Sequence, residues 1–364
     1  MIIVNKESLL SKIEKCYESI QVNDKNSIIA ETGIRIIANG NILKFITINE
    51  AYSIMCVQEI DNADAPFDII VNGIALYTSV KAIRNSEVSI DKNDVTLKVF
   101  SEKQKFNLNY KIDNILNIEN LMDRDYNQEI NKYVVQYAMA KSIFNTSKDV
   151  FNPILSCVYF GTGHSISTDG PRFTAIPIGN TPLLGYAIPK KVISIVLSCN
   201  KGSQELVTKF DGQEGCVYFK IGESFYIKGN LYSEKYPGEK LESLIENYGR
   251  KIVVNTKELL DIINSYVSLL NDSFNKLTMK INEDGVLEVA IETDTCSAID
   301  NVSIIDNVNV VSNVEMSFNY KLLVEILREL KESDTINFYL KEDDSICCIC
   351  DKDDSCKTFI KMKV

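Results

Sequence analysis

This 364-residue chain has one histidine, His164, and no apolar run that approaches a bilayer span. A membrane helix needs about 18 or more consecutive apolar residues. The opening "MIIVNKES" is too short for a signal peptide and lacks a cleavage pattern, so a cytoplasmic protein with no membrane partner is expected. A Ser-His-Asp or Cys-His catalytic set would have to use His164, which directly follows the turn residues Gly161, Thr162 and Gly163. No Gly-rich phosphate loop ends in Lys-Ser or Lys-Thr, and no G-x-S-x-G elbow occurs. The acidic stretches "KEDDS" and "DKDDS" lack the register of a calcium loop and read as solvated hairpin turns. The ten cysteines form no paired C-x-x-C, and the densest group, Cys347-Cys348-Ile349-Cys350, lies in an apolar strand-like run. Reduced, mostly buried thiols are expected. These absences disfavour an enzyme and lead to the expectation of no cofactor and no metal.

Basic excess is missing too. A net charge of -11 argues against a protein that grips nucleic acid over most of its surface, because such binding depends on Lys and Arg neutralising phosphates. A local basic stripe stays compatible with that charge.

A repeated pattern is present instead. With 45% hydrophobic and 24% charged residues, the chain has material for two or three globular cores. "NKESLLSKIEKCYESI" places Leu9, Leu10, Ile13, Cys16, Tyr17 and Ile20 at helical spacing behind Asn5 as a cap. "NTKELLDIINSYVSLL" repeats it with Leu259, Leu260, Ile263, Tyr266, Val267 and Leu270, and "NKYVVQYAMAKSIF" is a looser copy. A strand running into an amphipathic helix also recurs, in "FDIIVNGIALYTSVKAI", "LGYAIPKKVISIVLSC" and "VEMSFNYKLLVEILREL". Each is followed by a strand, a polar turn and a strand. Three similar α+β domains of about 120 residues follow. Their boundaries fall in the polar stretches "ENLMDRDYNQE" and "EKYPGEKLESLIENYGRK", giving 1–123, 124–247 and 248–364.

Three segments, "NPILSCVYF", "STDGPRFTAIPIG" and "AIPKKVISIVL", in that order and at close spacing, resemble the middle domain of the bacterial DNA polymerase III β subunit, the sliding clamp. "MSFNYKLLVEILREL" resembles the matching element of its third domain. The resemblance implies three clamp domains per chain, each with two helices packed on antiparallel sheets, and a head-to-tail homodimer forming a six-domain ring around duplex DNA. It further implies a non-catalytic subunit that tethers the replicative polymerase and other replication and repair proteins, opened onto DNA by a separate clamp loader. A ring holds DNA by topology, so an acidic exterior is compatible with scattered cations on the helices facing the hole. Lys6, Lys12, Lys15, Lys81, Arg84, Lys132, Lys141, Lys190 and Lys191 would supply these. Lys25, Lys148 and Lys191 fall where the family touches DNA.

The family also captures short peptides carrying a Gln and an apolar tail in a cleft. Carried over by motif, one wall comprises Leu155, Thr168, Gly170, Pro171, Arg172 and Phe173, with Pro237; the other uses Asn319, Leu322, Ile346, Ile360 and Met362. Phe106 and the pair Leu269-Leu270 match apolar positions of the subunit contact. The chain departs from the family at its end: "FIKMKV" puts Lys361 where a Met-Pro-Met-like segment has proline. That departure motivates a second reading, an accessory clamp with altered partners. A third, a monomeric α+β enzyme sharing only the repeat, is the remaining rival.

Overall fold

The computed structural model describes residues 1–20, 33–61, 63, 65–112, 120–201, 207–213, 215–246, 248–270, 275–282, 285–309, 314–341 and 345–362. Its architecture is α+β, with antiparallel sheets and few helices. The longer helices are α1 (Lys6–Ser19), α2 (Gly73–Ala82), α3 (Lys190–Asn200), α4 (Thr256–Tyr266) and α5 (Tyr320–Glu329).

Four of these begin at an asparagine whose side chain accepts a hydrogen bond from an otherwise orphaned helix N–H. Asn5 accepts from Ser8, Asn72 from Ala75, Asn255 from Glu258 and Asn319 from Lys321, at 2.9–3.0 Å. The predicted faces turn inward: Leu9, Ile13 and Cys16 of α1 are buried, as are Leu259, Ile263 and Tyr266 of α4. The looser third copy is less regular. A π-helical turn at Val134–Ala138 runs into a short α-helix at Met139–Ser142 and a 3-10 turn at Ile143–Asn145. Val134, Val135, Ala138 and Met139 are buried all the same.

The chain forms two compact units. The first contains Met1–Ala140, Thr181–Leu183 and Ala187–Glu234; the second contains Lys141–Asn180, Leu184–Tyr186 and Lys235–Val364. Strand pairing explains why the middle repeat contributes to both. In the first unit, strand Phe225–Asn230 of the middle repeat pairs antiparallel with Tyr52–Glu59 of the first, Phe225 opposite Cys56 and Gly229 opposite Tyr52. One sheet of 12 strands results. In the second unit, strand Arg172–Pro177 pairs with Lys357–Lys361, Arg172 opposite Ile360 and Phe173 opposite Phe359.

The stretches read as polar linkers are straps. Leu121 and Tyr126 are buried in the first unit among Ile46, Met55 and Val57 of the first repeat and Tyr218 and Tyr226 of the middle one. Arg124 lies 3.5 Å from the Tyr218 ring centroid and pairs with Asp211 at 2.7 Å. In the second unit Tyr236 is buried and stacks on Tyr159, ring centroids 5.5 Å apart.

All ten cysteines are free, and eight are buried. Burial raises the thiols of Cys56, Cys199, Cys347 and Cys356, the last to about 12, so these four remain protonated and unreactive at neutral pH. Among the described residues no helix is long and apolar enough to cross a membrane.

Gly229 offers a test of the packing between the first unit's sheet and α3. A Cβ there would lie 2.6 Å from one methyl of Val192 on α3 and 3.1 Å from a methyl of Val217. Gly229→Ala is expected to cost about 1–3 kcal/mol through overpacking, with partial recovery when combined with Val192→Ala. Urea denaturation of the single and double variants checks both effects.

Candidate peptide cleft and DNA-facing residues

The stretch "STDGPRF" forms a hairpin in the second unit. Strand His164–Thr168 pairs with Arg172–Pro177, Thr168 opposite Phe173, and Asp169, Gly170 and Pro171 make the turn. Gly170 has φ +102°, a conformation that L side chains rarely adopt. The Thr168 hydroxyl donates to the Arg172 carbonyl at 2.7 Å and accepts from the Gly170 N–H at 3.0 Å, which closes the turn.

Arg172 is only 6% exposed, and its guanidinium makes three different attachments. Nε donates to Asp169 Oδ2 at 2.9 Å, Nη1 donates to the Leu322 carbonyl at 3.0 Å, and Nη2 donates to Glu325. Its Cζ lies 4.9 Å from the Phe144 ring centroid. The turn is therefore fastened to α5, and Leu322, at the first turn of α5, is held half-exposed. Asn319 caps that helix.

The expected cleft residues all lie in the second unit, and hydrogen bonding brings most of them together. Lys361 N–H donates to the Pro171 carbonyl, and Met362 N–H donates to the Ser345 carbonyl, each at 3.1 Å. Ile346 lies opposite Lys361 across the adjoining strand pair. Leu155 is half-buried on a 3-10 turn, Pro153–Ser156, packed beside strand His164–Thr168. Pro237 is exposed and precedes the short helix Gly238–Glu242, which packs on that same strand.

The surface available to a ligand is narrower than the sequence suggested. Pro171, Gly170 and Pro237 are exposed, and Leu155, Leu322, Ile346 and Asn319 are half-exposed. Ile360 is fully buried and Phe173 nearly so, its ring stacked on Phe359 at 4.4 Å. Strand pairing on both sides of Lys357–Lys361 encloses Ile360, so these two side chains support the wall from behind. Arg172 likewise works as a fastener. Sequence reading missed its partner Glu325, three residues beyond Leu322, because only the folded hairpin brings Arg172 to α5.

The cations on the helices are largely engaged within the protein. Three lysines on α1 accompany three glutamates, Glu7, Glu14 and Glu18. Lys6 donates to the carbonyls of Lys81 and Ile83, and Lys15 donates to Glu18 at 3.0 Å and Ser198 at 2.7 Å. Lys12 donates to Ser8, and burial lowers its pKa. Lys81 donates to the Tyr77 hydroxyl, and Lys141 to the Glu329 carbonyl. Lys148, Lys191 and Arg84 are exposed. Lys191 lines a pocket of about 370 Å³ with Glu18, Ser19, Asn49, Tyr52, Lys190 and Ser194. Lys25 lies outside the described residues.

At the expected subunit contact, Phe106 is half-buried on strand Lys105–Lys111 and Leu269 is 43% exposed. Leu270 is a correction: the chain leaves the 3-10 turn Val267–Leu269 in an extended conformation that turns Leu270 into its own core, 7% exposed.

Residues 1–115 match the family described as DNA polymerase III beta subunit, N-terminal domain. Among solved structures, a DNA polymerase sliding clamp from Pseudomonas aeruginosa aligns with 100% of this chain and 100% of its own at TM-score 0.85 and 16% identity. A sliding clamp, DNA polymerase III subunit beta, from Bartonella birtlesii bound to griselimycin aligns with 100% of this chain and 99% of its own at TM-score 0.87 and 15% identity. This chain has the sliding-clamp fold. Caulobacter crescentus pol III beta gives the same coverage at TM-score 0.85 and 15% identity. A search of curated proteins finds no match to the sequence. The resemblance read from the motifs therefore holds over the full length of the clamp fold.

The Arg172 fork generates a prediction. Arg172→Ala removes the link between turn and α5 and leaves Asp169 and Glu325 without their shared cation. Because the Glu325 side chain is 52% exposed, solvent offsets part of the loss, and about 1–3 kcal/mol is expected. Arg172→Lys is expected to recover less than half of it, since an ammonium lacks the planar fork. Urea denaturation measures both variants, and an unchanged midpoint for Arg172→Ala would show that the fork does not hold the turn.

Proposed function

We propose that this protein is a DNA sliding clamp. Two copies close head to tail into a ring of six domains around duplex DNA, and the cleft beside Arg172 tethers the polymerase and other replication proteins through short peptides. The three domains are 1–123, 124–247 and 248–364. The protein has no catalytic role and uses no cofactor; a separate loader opens the ring.

The observation that carries this reading is the clamp fold over the whole chain, matched end to end by the Pseudomonas aeruginosa clamp. The edges support the subunit contact. Strand Lys105–Lys111 pairs with Thr96–Phe100 on one side and, among the described residues, meets Phe67–Asn72 only through Lys111 and Tyr110 on the other, so that no described strand pairs there with the backbone near Phe106. Strand Ser297–Val302 ends a four-stranded sheet and exposes Ile299. Exposed edges invite pairing with another chain. For peptide capture, half-exposed Leu155, Leu322 and Ile346 offer apolar contact. Each buried apolar peptide side chain would contribute about 1.5–3 kcal/mol before ordering costs, which suits micromolar affinity.

Loading onto nicked circular DNA followed by linearisation tests the topology. A clamp is expected to stay on the circle and slide off the cut ends, whereas retention on the linear product would mark an electrostatic binder. The departing "FIKMKV" end favours the accessory-clamp reading as second choice. Failure of a Gln-plus-apolar-tail peptide to displace the natural partner would favour it over the housekeeping role.

A further inference from the structure

Helix α1 is clipped to the first unit's sheet near both of its ends. At its start the Ser8 hydroxyl donates to Gln58 Oε1 at 2.7 Å, and at its end the buried hydroxyls of Ser19 and Thr47 share a hydrogen bond. Between these clips Cys16, on the same buried face as Leu9 and Ile13, meets Cys56 of strand Tyr52–Glu59. The two sulfurs are 3.7 Å apart, and both side chains are fully buried. Cys56 and Gln58 are two residues apart and so share the side of the strand that α1 covers.

A disulfide sets its sulfurs about 2.05 Å apart, so these two thiols need a small approach and an oxidant rather than a rearrangement of the chain. The strand that carries Cys56 lies inside the 12-stranded sheet, with Cys56 opposite Phe45 on one neighbour and Phe225 on the other. A third buried thiol, Cys199 of α3, is within electrostatic reach of both and is the rival partner. Toward a reagent in solution Cys56 is inert, because burial holds it as a thiol. A thiol is nonetheless the right partner for a sulfenic acid formed beside it, since its proton leaves with the hydroxyl as water.

We propose that Cys16 and Cys56 form a peroxide-responsive pair: hydrogen peroxide oxidises Cys16, and the resulting sulfenic acid closes on Cys56 to staple α1 to the sheet. In the first step the Cys16 sulfur takes one oxygen from the peroxide, whose O–O bond breaks, and water is released. In the second the Cys56 sulfur attacks the Cys16 sulfur, the S–S bond forms as the S–O bond breaks, and a second water leaves. Two thiols are oxidised and one peroxide is reduced to two waters. Peroxide is little larger than water, so a slight lift of α1 admits it. The bond would close the chain from residue 16 to residue 56 and restrict the unfolded state. It would also hold α1 on the strand that the first repeat pairs with the middle one. The pair lies wholly within the first unit, apart from the proposed cleft in the second.

The test treats the full-length protein with hydrogen peroxide, alkylates the remaining thiols in denaturant and maps cross-linked peptides by mass spectrometry without reduction. A Cys16–Cys56 peptide is expected as the main cross-link, formed equally in Cys199→Ala. In Cys56→Ala it is expected to be absent, with Cys16 recovered as a dimedone adduct of the sulfenic acid. Oxidised wild type is expected to unfold at higher urea, and a dithiol reductant to return the midpoint to its starting value. Oxidation confined to half-buried Cys216 and Cys296, with Cys16 and Cys56 still alkylated, overturns the inference. A dominant cross-link through Cys199 overturns it, as does a Cys16–Cys56 bond that leaves the urea midpoint unchanged or lower. Should Cys56→Ala fail to fold, the wild-type peptide map and midpoint decide alone.

Discussion

Two antiparallel strand pairings hold the three repeats together. Tyr52–Glu59 with Phe225–Asn230 joins the first repeat to the middle one, and Arg172–Pro177 with Lys357–Lys361 joins the middle to the last. Remove either ladder and two repeats would retain their local hairpins but lose a common sheet. The second join is partly polar inside: the buried hydroxyls of Thr174 and Thr358 lie 3.0 Å apart across the pair, and Asn145 donates to Thr174. Buried polar contacts of this kind add little net stability, but a shift of register would leave each group unpaired, so they help to fix the alignment. The alignment matters because it is also what sets Arg172 opposite Ile360.

The proposed cleft depends on that register. Arg172 stands at the first position of its strand, directly after the turn, so its side chain can reach back to Asp169 and across to α5. Phe173, one residue on, stacks on Phe359 and forms the floor beneath. The same two strands place Pro171 against the backbone of Lys361. Folding energy and the proposed recognition surface therefore share one hairpin, and changes at Arg172 act on both. Lys361 is different. Its backbone belongs to the ladder while its side chain is free of it, which is why the charge at that position can vary without disturbing the fold.

Much of this was legible in the sequence, for identifiable reasons. Helices α1 and α4 show the same spacing of apolar residues behind a capping asparagine, and the caps and most of the buried faces are where the pattern put them, Val267, exposed on the 3-10 turn after α4, being the exception. The turn at Asp169-Gly170-Pro171 is local chemistry, and its positive φ falls on glycine. What was hidden depends on contacts distant in sequence. Leu121 and Tyr126 sit in a stretch that reads as polar, yet they close the core over strands from two repeats. The burial of Ile360 could not be read from "FIKMKV", because it needs a strand on each side. Glu325 reads as an ordinary charge on the outer face of a helix until the hairpin delivers Arg172 to it.

The lysines carry the last step. Counting them along the helices suggested a basic track, but Lys6 ties α1 to the end of α2, Lys81 donates to Tyr77 within α2, and Lys15 ties α1 to α3. A cation that donates to a carbonyl or carboxylate of its own chain still contributes to the field, but it has fewer donors and less reach left for a phosphate. A protein relying on direct grip would be handicapped by such an arrangement, and more so with a net charge of -11. A ring is not, because topological retention needs no tight contact at any point, and weak contacts favour sliding. The internal use of these lysines is therefore better matched to the proposed encircling mode than a strongly basic helix face would be.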